Sequence, residues 1–424
     1  MQLRSDQPLS IAQKIDYIPK DWSISRIGEF TQVRSGGTPS TFIKEYWEDG
    51  DIPWINSGEV DDKQIAKPSK YITRKGLENS AAKLFPKNTV VIALTGATTG
   101  KVGLLTFECS TNQSISGILP SVNHDPSFLF YMLIFLRDSI LKHSTGSAQP
   151  HINQKIVEDF CLPLPKIVEQ QKISSYLSTT DDCINQTERI IEKNELMKRI
   201  LTQILTTKGI RQKNLKTINV GKRFLNVKIP EGWNIKKFKN VLAIRDDYVD
   251  LADSEKYTRI IVKRRHEGIV LRDIVYGRDI LTKNQYVVHT GDFVISRRQI
   301  VHNACGLIPE EFGGAVVSNE YSIFSGTNEL DIEYFDWFSQ SNLFKQTIIV
   351  TTHGIDIEKY IFLLDEWLNL RMPFPPIEEQ KKIVQILSNV ENKLSKEKKF
   401  RDSLHTLKRG VMQKLLTGQI RVKV

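Results

Sequence analysis

The chain is written twice. Tyr17-Ile-Pro-Lys-Asp-Trp22 returns as Lys228-Ile-Pro-Glu-Gly-Trp233, with Pro19 and Pro230 lying 211 residues apart. Leu162-Pro-Leu-Pro-Lys-Ile-Val-Glu-Gln-Gln-Lys-Ile173 returns as Met372-Pro-Phe-Pro-Pro-Ile-Glu-Glu-Gln-Lys-Lys-Ile383, with Pro163 and Pro373 lying 210 apart. Self-similarity at a fixed spacing constrains a fold more tightly than composition does. Each half opens with IPxxW, runs through about 140 mixed residues, and closes with PxPxxxEQ(Q/K)KI and a long helical pattern.

The closing segments read as helices. From Ile173, apolar residues fall near alternating spacings of four and three at Leu177, Ile184, Ile191, Leu201 and Leu205; the second copy has Ile383, Leu387, Val390, Leu394, Leu404, Leu407, Val411 and Leu415. This is a coiled-coil stripe of about five heptads, interrupted by Thr180, Thr187 and Asn194 in one copy and Glu397 in the other. Prolines 163, 165, 373, 375 and 376 stop any helix before these starts, and Glu169 and Glu379 suit the positive end of the first turns. At 1.5 Å per residue the rods are roughly 55 to 60 Å long. Each stripe either packs on its own domain or pairs with the other, and their matched lengths favour pairing. A pseudo-two-fold between the halves would make that pair antiparallel and hold two mixed domains apart.

The mixed regions read as α+β. β-like runs fall at Thr89 to Leu94, Val102 to Phe107, Arg259 to Val262, Asp292 to Ser296 and Ala315 to Val317, with one helix late in each half, Phe128 to Leu141 and Tyr334 to Ile349. The halves diverge here while their helices keep one plan, as suits one scaffold carrying two different readers.

At 424 residues, 40% hydrophobic and 25% charged, the chain has room for two or three soluble domains. Its longest apolar run, Phe128 to Leu136, has nine residues, too few to span a membrane, and is expected as a buried helix. The opening MQLRSDQPLSIAQ lacks an apolar signal core, so a cytoplasmic location is expected. Cys109, Cys161, Cys183 and Cys305 are unpaired in spacing, which argues against disulfides and a zinc site; no metal is expected. A net charge of +10 and a pI near 9.2 are compatible with DNA or RNA as partner.

The stretch Leu94-Thr-Gly-Ala-Thr-Thr-Gly-Lys-Val-Gly103 imitates a phosphate-binding loop. Only Ala97, Thr98 and Thr99 separate Gly96 from Gly100, Val102 stands where Ser or Thr would hold magnesium, and a strand rather than a helix follows. A Lys-tipped loop between strands remains. Its counterpart is Ile295-Ser-Arg-Arg-Gln299, which also follows a strand entered from a polar turn and has no Gly-Lys. Both are better explained as variable recognition loops than as a nucleotide cradle. In the first half the candidate DNA contacts are Thr38, Ser40, Lys44, Asn56, Ser57, Thr98, Thr99, Lys101, Asn112 and Gln113, because hydroxyls and Lys suit phosphate and amides pair with adenine. In the second they are Lys263, Arg264, Arg265, Arg297, Arg298, Gln299 and Asn303, rich in the side chain best shaped for guanine and for phosphate forks. Turn chemistry and a solvated charge run are the structural alternatives for both sets.

This layout resembles the DNA-specificity (S) subunit of type I restriction–modification enzymes across essentially the whole chain. The carrying residues are the two IPxxW entries, Gly36-Gly-Thr-Pro-Ser40 with Tyr46-Trp47 and Gly50-Asp-Ile-Pro-Trp54, Gln149-Pro-His-Ile-Asn153, and the two PxPxxxEQ starts. The second half departs, with Gly354-Ile-Asp-Ile357 in place of QPHI and no GGTPS. The resemblance implies a target-recognition domain over 1–165, a spacer helix over 166–210, a second recognition domain over 211–372 and a second spacer helix over 373–424. It implies a non-catalytic chain that reads a split double-stranded DNA target. Its implied partners are two adenine methyltransferase subunits using S-adenosylmethionine and two ATP- and Mg-dependent restriction subunits, with no cofactor in this chain. Methyltransferase contacts are expected on the helices and their starts at Glu169, Gln170, Glu379 and Gln380. No NPPY, DPPY, HExxH, GxSxG or complete Walker motif is present. A methyltransferase or nuclease with a degenerate site, part of a fused restriction enzyme, and a coiled-coil adaptor are the competing readings.

Overall fold

Proline sets the start of each long helix, and glycine sets its end. The computed structural model describes residues 18–144, 151–211, 214–220, 225–354 and 361–423. In it Ile167–Lys208 and Ile377–Leu416 are continuous helices, each beginning one or two residues past a proline. Gly209 (φ 68°) and Gly418 (φ 69°) follow in the left-handed conformation that closes a helix C-terminus. A Cβ on Gly209 would lie 3.1 Å from the Trp233 ring, and one on Gly418 would lie 2.3 Å from Pro19. Glycine is thus needed twice over at each helix end, for the turn and for the close approach of IPxxW.

The chain separates into two units, Met1–Glu188 with Lys399–Val424, and Arg189–Lys398, so each contains part of both long helices. Within the second unit the helices pair through Glu195–Lys398 at 2.7 Å and Lys198–Glu391 at 2.5 Å, and rising numbers against falling ones make the pairing antiparallel. Within the first unit Asp181 pairs with Lys408 at 2.5 Å. Packing on the home domain also occurs: Ile173, Leu177, Met412, Leu415 and Leu416 join one core, and Leu205, Ile383, Val384 and Leu387 join the other. Leu407, expected in the apolar seam, is instead exposed, and Lys408 takes the inward place, its ammonium 5.4 Å from the centre of the Tyr131 ring.

The first mixed domain is built on antiparallel strands ordered Val33–Ser35, Ile115–Ile118, Val90–Ala93, Val102–Leu105, with Lys63–Ile65 added in parallel to the last. The three central strands are buried along their whole length, which is why they read as apolar runs rather than alternations. A smaller sheet runs Lys70–Ile72, Ile52–Ile55, Cys109–Thr111, Leu84–Phe85. The apolar run becomes the helix Pro126–Phe135, fully buried from Phe128 to Leu133, with Asp125 accepting from the Phe128 N–H as N-cap. It ends sooner than its pattern suggests, because Leu136 leaves the helical region before Arg137–Leu141 begins.

The second mixed domain repeats the framework. Leu242–Arg245, Tyr321–Gly326, Phe293–Ser296 and Cys305–Leu307 form an antiparallel sheet in that order, equivalent to the first four strands above. The expected helix from 334 to 349 is likewise two, Ile332–Ser339 and Asn342–Val350, with Ser341 capping the second. Phe238 stacks on Trp367 at 4.3 Å within an aromatic core. The accompanying sheet runs Tyr248–Val249, Gln285–Val287, Val316–Ser318, Lys256–Val262, Ile269–Tyr276. The architecture is α+β with an internal repeat. No helix among the described residues is long and apolar enough to cross a membrane.

Candidate nucleic-acid interface

The two repeated motifs meet in space. Trp22 Nε1 donates to Glu169 Oε2 at 3.2 Å, and Trp233 Nε1 donates to Glu379 Oε2 at 3.2 Å. The next residue makes the same two bonds in both copies, and Gln380 adds one to Glu329 O. Gln170 donates to Pro165 O and accepts from the Asp125 N–H, and Gln380 donates to Pro375 O and accepts from the Asp331 N–H, all four at 2.8 Å. Asp125 and Asp331 are the N-caps of the buried helices, so each EQ pair fixes the entry tryptophan and the core helix of its own unit. The free lobe of Glu379 accepts from Ile210 N–H at 3.0 Å, while Glu169 takes the Arg421 guanidinium, which also forks onto Asp21. The four side chains expected at a partner surface therefore have partners within this chain.

Beside this framework sit the candidate loops of the first unit. Thr38 and Gln113 are brought together, Oγ1 to Oε1 at 2.5 Å. The Gly36-Gly37 backbone approaches its own chain rather than standing open to a phosphate: a Cβ on Gly36 would meet Thr111 at 2.1 Å, and one on Gly37 would meet Ala81 at 2.3 Å. Ser40 is exposed and its carbonyl accepts from Trp47 Nε1, and Lys44, also exposed, lies 3.8 Å from Glu48. Asn56 caps the turn at Ser57–Glu59, accepting from Gly58 N–H and donating to Glu59. Ser57 O accepts from Thr98 Oγ1 at 2.8 Å, joining that turn to the Gly-Lys loop. Inside the loop Thr99 bonds back to Gly96 O, and Lys101 pairs with Asp61, whose carboxyl is held low chiefly by that contact. Asn112 is half-buried beside Ile55. Structure brings 57 and 98 into contact, and likewise 38 and 113.

The second unit gathers more charge. Lys263, Arg264 and Arg265 form the tip of the hairpin joining Lys256–Val262 to Ile269–Tyr276, all three exposed. Arg264 Nε donates to Gln299 Oε1 at 2.7 Å, which ties the hairpin tip to the loop after Phe293–Ser296. Arg297 donates to Ser322 Oγ and Arg298 pairs with Glu320, yet both stay on the surface. Asn303 turns left-handed (φ 57°), and its carbonyl accepts from His266 N–H. The loop 297–303 occupies the strand position of the Gly-Lys loop, since Val90–Ala93 and Phe293–Ser296 hold the same place in their sheets. The sequence offers His266 only as the end of the basic run Val262–His266, and nothing in it pairs that side chain with Asp336, far along the chain. Gln149, Pro150 and residues 355–357 lie outside the described residues. No cluster of three or more potential metal ligands exists among the described residues.

A family model for the type I restriction modification DNA specificity domain matches the chain twice, over residues 19–198 and 230–404. The chain belongs to this family. Each match begins inside IPxxW and ends within a long helix, so the specificity-domain repeat is one tryptophan–glutamate unit with its reader. The MjaVIII and MjaIX type I restriction enzyme specificity subunits of Methanocaldococcus jannaschii are each 26% identical to it. Those alignments cover 96% of this chain and 94% and 96% of theirs. The EcoR124I/EcoR124II specificity subunit of Escherichia coli is 30% identical over 179 residues, 41% of this chain and 44% of its own. Among solved structures, a type I restriction–modification S subunit from M. genitalium has the same fold, with a TM-score of 0.54 at 14% identity over 96% of this chain and 97% of its own.

Proposed function

We propose that this specificity-family chain reads a two-part double-stranded DNA target and directs adenine methylation and ATP-dependent restriction by partner subunits. The observation that carries this reading is the repeat itself. One framework, locked by the same Trp, Glu and Gln in both copies, carries two unlike polar loop clusters at equivalent sheet positions. A catalytic centre would need one convergent set of groups, whereas two half-sites need two divergent ones. In this reading 1–165 and 211–372 are the readers, 166–210 and 373–424 the spacers, and the chain performs no chemistry.

The proposed partners are two methyltransferase subunits, which bring S-adenosylmethionine, and two restriction subunits, which bring ATP and magnesium use, all in the cytoplasm. The long helices are the proposed docking place for the methyltransferases. Because Glu169, Gln170, Glu379 and Gln380 are engaged internally, the exposed apolar positions Ile190, Leu196, Met197 and Ile200, 41–50% accessible, suit a partner helix better. The test is co-expression with a candidate methyltransferase and single-molecule sequencing for N6-methyladenine. Two short specific halves around a fixed gap support the proposal. A stable complex with no methylation favours an adaptor, and methylation by this chain alone would mean that it is an enzyme.

A further inference from the structure

The hairpin tip Lys263–Gly268 in the second unit is bent in an unusual way. Arg265 (φ 60°) and His266 (φ 57°) are consecutive left-handed residues, a conformation their Cβ atoms disfavour, and neither is a glycine or an asparagine. Strain of this kind persists only where the surroundings over-determine it. Here His266 turns inward while Lys263, Arg264 and Arg265 remain exposed. Its Nε2 lies 3.2 Å from Asp336 Oδ1 on the helix Ile332–Ser339, both side chains being less than one-fifth exposed. Its Nδ1 is 3.8 Å from the sulfur of fully buried Cys305, and its N–H donates to Asn303 O at 2.9 Å. Burial alone pushes the imidazole down, but the contact with Asp336 and its negative charge, with a smaller part from Cys305, outweigh that and lift the group to about 10.

We propose that His266, paired with Asp336, is the positioning residue of the second reader: it fixes the hairpin tip in the conformation in which Arg264, Arg265 and Gln299 meet DNA together. Arg264 to Gln299 outside and His266 to Asn303 inside join the tip to the loop 297–303, so anchoring one anchors both. The inward cation also accounts for the bend. Three successive basic side chains repel one another, and Asp336, with the contacts to Asn303 and Cys305, holds the fourth away from them. His266 touches no DNA in this arrangement; it acts through the arginines, and the inference rests on the DNA-reading function proposed above.

The test uses the full chain and duplexes carrying the methylation-mapped target, intact or changed at one base in either half. His266→Asn keeps a residue that tolerates the left-handed bend but removes the ion pair, and Asp336→Asn removes it from the other side at constant size. Each is expected to lower discrimination at one half-site about tenfold and leave the other half unchanged. Adding Arg264→Ala and Arg265→Ala to His266→Asn is expected to cause no further loss, since the effect runs through those side chains. Full discrimination in both single variants, equal loss at both halves, or additive loss with the arginine substitutions would each overturn the role. If His266→Asn does not fold, Asp336→Asn answers the same question. A wild-type chain that binds every duplex alike would overturn the DNA-reading assignment itself, and the positioning role with it.

Discussion

His124 illustrates how much a single side chain depends on its surroundings. It is 2% exposed, shares a 2.9 Å hydrogen bond with Ser121 Oγ, and meets the Phe30 ring edge-on at 5.3 Å. Burial pushes it down to about 4, so it stays neutral in the folded chain while the unfolded chain protonates it near 6.5. Between those values the unfolded state binds more protons, and stability therefore rises with pH across that window. The contribution is on the order of 3 kcal/mol. Denaturant unfolding at pH 4.5 and pH 7 should show a smaller acid loss for His124→Phe than for wild type; parallel losses would show that the imidazole is not the group responsible. Nothing local marks His124 as buried, and nothing local marks Gly36-Gly37 as packed on Thr111 and Ala81 instead of open to a phosphate. Residue types at a loop were legible in sequence, but their neighbours were not. Thr98, Thr99 and Lys101 make the point together, because their hydroxyls and ammonium are engaged by Ser57, Gly96 and Asp61.

Elements were easier to read. Proline placed both long-helix starts and a buried apolar run marked the core helix, since both signals act over a few residues. The one helix expected late in each half broke in two because a cap or a non-helical residue, Ser341 in one and Leu136 in the other, outweighed the continuing apolar pattern. What joins the elements is the tryptophan–glutamate contact. Trp22→Phe and Trp233→Phe each remove one hydrogen bond to a carboxylate and replace a buried indole with a smaller ring, and each should cost about 2 to 4 kcal/mol in chemical denaturation with DNA specificity unchanged. An altered target with unchanged stability would mean that IPxxW reads DNA instead of holding the framework. His266 follows the opposite sign rule to His124: a raised imidazole contributes its stabilisation in full below about 6.5 and loses it as pH rises through about 10.

For the molecule as a whole, the helices are the proposed measure of the gap between half-sites. Four residues inserted after Asn194 in the first long helix add about 6 Å, on the order of one to two base-pair steps. The preferred gap in the methylation map should lengthen while both half-sites stay the same; an unchanged gap would remove the helix from that role. The sequence by itself determined the duplication, the helix starts, the α+β character and the membership these imply. Each follows from short-range effects, chiefly the φ of proline and the period of apolar residues. Tertiary structure alone decided which polar groups are inward and which outward. It turned EQ from a surface motif into an internal lock and Lys101 into the partner of Asp61, and it brought Asp336 under a basic hairpin. The partner of a charge is set by where distant strands and helices come to rest, and no local pattern encodes that distance.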